Sequence, residues 1–272
     1  MPLSETESPY KVQVLDRAFA ILNALANVKQ DLSLAELAGT LKLHKSTVHR
    51  LAMILEGYRL IERDLQTGRY HLGLRLFELG SIAIGSFDIR DRARPHLERV
   101  LFEVDETVHL CILDAGEILY LDKIEPSRSV RMASRIGRRN PAHCTAVGKA
   151  MLAWLPEHEV DDLLHRQGMP RRTPNTMTTP AELKSDLAAI RQRGYSIDNE
   201  EVEEGVRCVA VAVLDHWRRP LAAISVSAPA FRLPMEKVPV VAASVSRTAQ
   251  QLSEESGFRG VWRTELLETV PT

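Results

Sequence analysis

Apolar residues recur at helical spacing near the start of the chain. Leu15, Ala18, Phe19, Leu22 and Leu25 share one face, which predicts an amphipathic first helix. Ser33 followed by Glu36 is a capping box, in which each side chain satisfies a free backbone N–H at the helix start. Leu34, Leu37 and Ala38 give this second helix its apolar face. Gly39 offers its stop, because glycine tolerates the left-handed conformation there. A third helix is expected from about Lys45 to Glu56, with Val48, Leu51, Ala52 and Leu55 turned inward. Lys45, Ser46, Thr47, His49 and Arg50 are then left facing outward at its beginning.

Two short extended pieces follow, around Leu60–Arg63 and Arg69–Leu72, joined by a turn-forming stretch from Asp64 to Gly68. Helix, helix, turn, helix and hairpin is the order of a winged helix-turn-helix, and Gly73 closes it. From Leu74 to about Val104 the pattern is helical, with Leu74, Phe77, Ile82 and Phe87 among its apolar positions. Pro95 lacks the N–H for an intrahelical bond, so a break or restart is expected there. The first part reads as a linker helix and the second as the opening of another domain.

After Thr107 the period shifts towards two. Val108–Leu113 and Ile118–Ile124 flank Asp114 to Glu117, a hairpin pattern. Thr145 to Leu155 returns to helix. Thr179, Pro180 and Glu182 mark a further helix start, with Leu183, Leu187 and Ile190 inside and Gly194 at the end. Val206–Leu214 and Leu221–Ser227 read as neighbouring strands, and a last helix is expected from roughly Lys237 to Glu255. Strands and helices mixed in this order indicate an α+β domain. The expected division is 1–73 for the winged helix-turn-helix, 74–92 for the linker helix, 93–260 for the α+β domain and 261–272 for a tail.

Composition narrows the picture. The chain has 272 residues, 44% hydrophobic and 26% charged, which suits two soluble domains. No apolar run approaches the roughly 20 residues needed to span a bilayer, and the polar first ten residues lack the order of a secretory signal. Cys111, Cys144 and Cys208 are too few and too scattered for a disulfide framework and match no metal-ligand spacing. The expectation is a cytoplasmic protein without cofactor or metal.

Net charge is −1, and residues 1–72 carry nine Lys and Arg against eight Asp and Glu. The charge signal is therefore local. Between Thr40 and Arg50 stand Lys42, Lys45 and Arg50 with His44 and His49, and no acid. Phosphate contacts require such a concentrated basic face. At the tip of a recognition helix, Lys45 and Arg50 would meet phosphate or guanine, and Ser46, Thr47 and His49 base edges or backbone. Arg63 and Arg69 would serve from the wing. The plainer reading is a small helical domain with a charged surface that binds protein.

Four segments together resemble the IclR family of bacterial regulators. They are GYSIDNEEVEEGVRCVA from Gly194 to Ala210, PAHCTAVGKA from Pro141 to Ala150, ISVSAP from Ile224 to Pro229, and SLAEL at Ser33 with KSTVHRL at Lys45. The resemblance implies a winged helix-turn-helix, a linker helix and a GAF-like effector domain. It implies a homodimer or dimer of dimers on a palindromic operator in double-stranded DNA, controlled by a small carboxylate metabolite, commonly as the repressor of a catabolic operon.

Carried over by position, the resemblance sets Asp198, Cys208, Ser225 and Ser227 beside the effector. It sets the backbone N–H groups of Ala146 and Val147 against its carboxylate, where a helix start favours an anion. Ser225 and Ser227 are two apart on a strand and point to one face. Arg131 and Arg207 are further candidates for an anionic ligand. Ala228 departs from the glycine the family often has after the second serine. Thr173-Pro174 and the wording of the signature are most similar to members that sense sugar-acid breakdown products such as 2-keto-3-deoxygluconate, a pattern that aromatic-acid regulators largely share. Singly, each residue has a plainer role: Cys208 as a small buried hydrophobe, Asp198 as a turn cap, the serines as strand positions. The competing functions are a hydrolase built on Cys208, for which the sequence pairs no base, and a protein-interaction module.

Overall fold

The computed structural model describes residues 12–28, 30–85, 89–128 and 132–259, apart from the side chains of 81–85. The chain divides into two compact units, 1–87 and 88–272.

In the first unit, α1 (Gln13–Ala26), α2 (Leu34–Leu41) and α3 (Lys45–Gly57) precede β1 (Ile61–Arg63), β2 (Tyr70–Leu72) and α4 (Leu74–Gly85). The capping box forms: Ser33 N–H donates to Glu36 Oε2 at 2.7 Å, and Glu36 N–H donates to Ser33 Oγ at 3.3 Å. Gly39 does not end α2. The helix runs one more half-turn to Leu41, and Lys42 takes the left-handed cap at φ 52°, ψ 41°, its N–H reaching the Ala38 and Gly39 carbonyls. Burying Leu41 and Leu43 against the core outweighs the modest strain of a non-glycine cap.

Ile21, Leu25, Leu37, Val48, Leu51, Leu55, Ile61 and Tyr70 form the core of this unit. Asp64 Oδ1 accepts the N–H groups of Gln66 and Thr67 and so shapes the wing turn. A Cβ on Gly73 would lie 2.2 Å from the Arg59 carbonyl oxygen, so only glycine lets the wing return past the end of α3.

The second unit contains α5 (Ile89–Val104), β3 (Thr107–Asp114), β4 (Glu117–Ile124), β5 (Arg139–Pro141), α6 (Ala146–Leu152), α7 (Glu157–Gln167), α8 (Pro180–Arg193), β6 (Ser196–Asn199), β7 (Val206–Leu214), β8 (Pro220–Pro229) and α9 (Val238–Glu255). Its strands form one antiparallel sheet in the order β5-β4-β3-β8-β7-β6. Pro95 lies inside α5 and does not break it. One proline removes a single intrahelical bond, and α5 is held by burial of Ala93, Leu97 and Val100 against the sheet. Residues 89–92, expected in the linker, therefore open this helix.

Strand alternation gives the sheet two dressed faces. Val108, Leu110, Val211, Val213, Ile224 and Val226 pack with α5 and α9. Cys111, Ile118, Ala210, Ala212 and Ala223 pack with α6 and α8. The second face turns polar towards one end of the strands, and that is where the candidate effector site lies.

Candidate DNA-reading face and effector site

The cap at Ser33 and the left-handed Lys42 aim the chain into α3, whose N-cap is His44. Val48, Leu51, Ala52 and Leu55 are buried, so their helical neighbours Lys45, Ser46, His49 and Arg50 are exposed and Thr47 is half-buried. Among the described residues, Lys45, His49 and Arg50 make no ion pair. A basic surface without internal partners is free for an external anion.

The wing arginines differ from each other. Arg63 is exposed and stands 5.9 Å over the Tyr70 ring. Arg69 donates from Nη2 to both Glu36 oxygens at 2.7 and 2.8 Å and from Nε to the Asp31 carbonyl. It ties the wing to the start of α2. Hydrogen bonds from Ser33 and Arg69 lower the Glu36 carboxyl to about 2.

In the second unit the polar end of the sheet is assembled by register. Asp198 pairs with Cys208, Cys208 with Ser227, and Ser227 with Thr107. One row along, Ala210 pairs with Ser225 and Ser225 with His109. Asp198, Cys208, Ser225 and Ser227, scattered over distant parts of the sequence, thus share the α6 face of three adjacent strands. Asp198, Ser225 and Ser227 are buried and Cys208 is half-buried. Asp198 Oδ1 accepts the Glu201 N–H at 2.7 Å, so it caps the following turn as well.

Ala146 and Val147 open α6 on the same side of the sheet. Thr145 Oγ1 accepts the Gly148 N–H at 3.2 Å, while the first two amides precede any acceptor the helix can supply. Gly148 is required by packing, since a Cβ there would lie 2.2 Å from the Ala142 carbonyl oxygen. Lys149, one residue further, is buried and paired with Glu201 at 2.6 Å and Asp186 at 2.9 Å, tying α6 to the loop after Asp198 and to α8.

Arg207 is not in this site. It alternates to the opposite face from Cys208, where it donates to the Leu233 carbonyl at 2.6 Å and to Asn199 Oδ1 at 2.8 Å. Arg131 lies outside the described residues. In the loop after β6, Glu203 and Glu204 are exposed, but Glu201 is buried.

Burial dominates the electrostatics of the site. It raises the Asp198 carboxyl to about 7, with the nearby Glu201 charge as the second cause. Burial and then the Asp198 charge push the Cys208 thiol up, and burial likewise pushes up the Tyr120 phenol. His109 is lowered to about 3 by burial and by Lys123. At neutral pH Cys208, Tyr120 and His109 are uncharged and Asp198 is only partly ionised, which leaves a mainly hydrogen-bonding surface.

The sequence patterns do not single out His109 or Tyr120, yet both belong to this face. His109 shares hydrogen bonds with Ser134 Oγ at 2.7 Å and Ser227 Oγ at 3.4 Å, and packs edge-on to Tyr120 at 5.1 Å. The available signal is a histidine inside an otherwise apolar, alternating strand. Among the described residues no His, Cys, Asp and Glu cluster suits a metal ion, and no helix is long and apolar enough to cross a membrane.

The two units define a class: a winged-helix DNA-binding unit joined in one chain to an α/β unit. Comparisons with known proteins agree with both halves. Residues 14–65 match the family profile described as the IclR helix-turn-helix domain, and 82–254 that of the bacterial transcriptional regulator IclR C-terminal region. The chain is 40% identical over 216 residues to the Escherichia coli HTH-type transcriptional regulator XynR, covering 79% of this chain and 86% of that one. It is 34% identical over 252 residues to the HTH-type transcriptional regulator KdgR of the same organism, covering 93% and 95%. A solved Thermotoga maritima IclR superposes with a TM-score of 0.78 at 35% identity, covering 91% of this chain and all of that one. The chain belongs to the IclR family of DNA-binding transcriptional regulators.

Proposed function

We propose that this regulator reads a palindromic operator through α3 and that a small organic or sugar acid, bound on the α6 face of the sheet, controls that binding. Lys45, Ser46, Thr47, His49 and Arg50 enter the major groove, with Arg63 reaching phosphate from the wing. Arg69 supports the wing through Glu36. Asp198, Cys208, Ser225 and Ser227 line the effector, and the Ala146 and Val147 amides take its carboxylate. The observation that carries this reading is the cross-strand row itself: buried polar side chains, brought into register from distant segments onto one face of the sheet. Buried polar groups gathered in this way fit a ligand better than a packed core.

The chain acts as a homodimer or dimer of dimers in the cytoplasm. Val12, Leu15 and Phe19 on and before α1, and Leu74 and Phe77 on α4, are each about half exposed or more, an apolar surface suited to a second copy. It represses a catabolic operon whose substrate or product is the effector, with sugar acids of the 2-keto-3-deoxygluconate type favoured by the signature. It is not an enzyme: a thiol whose ionisation is suppressed is a poor nucleophile, and His109 bonds Ser134 at 2.7 Å and turns its other nitrogen towards Ser227, 3.4 Å away, and not towards Cys208.

A thermal-shift screen of small organic acids tests the sensor half, because a ligand that binds only the folded chain raises its melting temperature. The acid that does so is expected to change operator affinity in a DNA titration. An acid that stabilises the chain and leaves operator affinity unchanged would contradict the control mechanism.

A further inference from the structure

His109 stands at the centre of the sheet face proposed to hold the effector, and its role in selecting a ligand rests on that reading of the face. It pairs directly with Ser225 across the β3–β8 ladder, so the two side chains lie next to each other on one face. Its ring is fixed from two sides, by the 2.7 Å hydrogen bond between Nε2 and Ser134 Oγ and by the edge contact with Tyr120. The other nitrogen, Nδ1, is under-used: its partner Ser227 Oγ is 3.4 Å away, longer than a well-formed hydrogen bond. Ser225 is 3% exposed, and its hydroxyl has no partner among the described residues. Two neighbouring, buried polar groups therefore retain hydrogen-bonding capacity on the face that receives the ligand.

We propose that His109 is a specificity-determining residue of the effector site, which with Ser225 hydrogen-bonds a hydroxyl group of the ligand and so selects hydroxylated monocarboxylic acids over dicarboxylic and purely apolar acids.

Charge argues against a second carboxylate. The nearby cation Lys123 is spent on the Met132 and Ser134 carbonyls at 2.7 and 2.8 Å and on Glu125 at 2.9 Å. Lys149 is spent on Glu201 and Asp186. The ring of His109 is itself uncharged, so a second carboxylate would be desolvated against neutral groups. An unhydroxylated acid fails for a different reason. It would cover Nδ1 and the Ser225 hydroxyl without pairing them, and unpaired buried polar groups discriminate strongly against a ligand that lacks its matching group. A neutral imidazole and two hydroxyls, each able to donate or accept, suit an alcohol.

The test is calorimetric titration of the full chain with gluconate, hexanoate and adipate, acids of equal chain length that differ in hydroxylation and in number of carboxylates. The wild-type chain is expected to bind gluconate most tightly. His109→Leu is expected to weaken gluconate by about tenfold or more while changing hexanoate by no more than about threefold, and His109→Gln to recover part of the loss. The readout is the gluconate-to-hexanoate ratio, which a merely structural role would not move. Equal weakening of both acids in His109→Leu, or a wild-type preference for adipate or hexanoate, overturns the role given to His109 alone. Should His109→Leu fail to fold, the wild-type ratio against that of His109→Gln and His109→Asn decides, an unchanged ratio in both being the overturning result. Binding of none of these acids by the wild-type chain overturns this inference, while the effector reading fails only if the wider thermal-shift screen of organic acids also finds no ligand.

Discussion

Arg69 on the wing reaches back to Glu36 in the first turn of α2, its Nη2 lying 2.7 and 2.8 Å from the two carboxylate oxygens. The same glutamate closes the capping box with Ser33. One carboxylate thus orders both the start of the helix that braces α3 and the hairpin beside it. This separates two arginines, Arg69 and Arg63, that the sequence presents alike.

Arg50→Ala is expected to weaken operator binding and to reduce the slope of log affinity against log salt by about one, as for one lost phosphate contact. Arg69→Ala should leave that slope unchanged while lowering the melting temperature of the DNA-binding unit. DNA titrations at several salt concentrations, with melting curves beside them, check both. A reduced slope in the Arg69 variant would make it a phosphate ligand after all.

Replacing Ser225 and Ser227 together by Ala should abolish the response to effector and leave operator affinity within about twofold, because sensing and reading are coupled between distinct sites. Operator titrations with and without the acid found by thermal shift measure this. Loss of operator binding in the absence of effector would mean that the two hydroxyls are structural.

Asp198 sets a pH dependence whose sign comes from its raised carboxyl, about 7 against an ordinary 3.8. The folded chain holds this proton where the unfolded chain has lost it. The contribution to stability is therefore complete below about pH 4 and is lost as pH rises towards 7. Asp198→Asn removes the dependence, so its melting temperature relative to wild type should climb between pH 5 and pH 8. Parallel melting curves over that range would show that the carboxyl is not raised.

Gly148→Ala should destabilise the second unit by more than about 2 kcal/mol, since the added Cβ meets backbone atoms of Ala142 at 2.2 and 2.5 Å that have no room to move. Gly57→Ala, in the last turn of α3 with nothing within 4 Å, serves as the control and should be neutral or mildly stabilising. Denaturant unfolding of the two variants tests the contrast.

Much of the fold is legible in the sequence because it is written in local chemistry. The Ser33–Glu36 and Thr179–Glu182 boxes, the wing turn at Asp64 and the alternating strands each specify their own element. What misleads is also local. Gly39 and Pro95 read as stops, yet tertiary burial carries α2 to Leu41 and holds α5 together across its proline. Around the site, Ser225 and Ser227 are readable from strand alternation, and so is the opposite facing of Arg207, the neighbour of Cys208 on β7, whereas the cross-strand row that joins Asp198, Cys208 and Ser227 comes only from the observed register. His109 and the Arg69–Glu36 pair depend on contacts 118 and 33 residues apart in the chain, and no short pattern announces those.

Whether α3 reads specific duplex DNA is decided by incubating the purified full-length protein with sheared genomic fragments at moderate salt and footprinting the recovered duplexes. A small set of fragments should be enriched, each with a protected inverted repeat whose halves are related by the two-fold axis of a dimer. Recovery no better than for random duplex, with and without the candidate acids, would show that α3 is not a reading head.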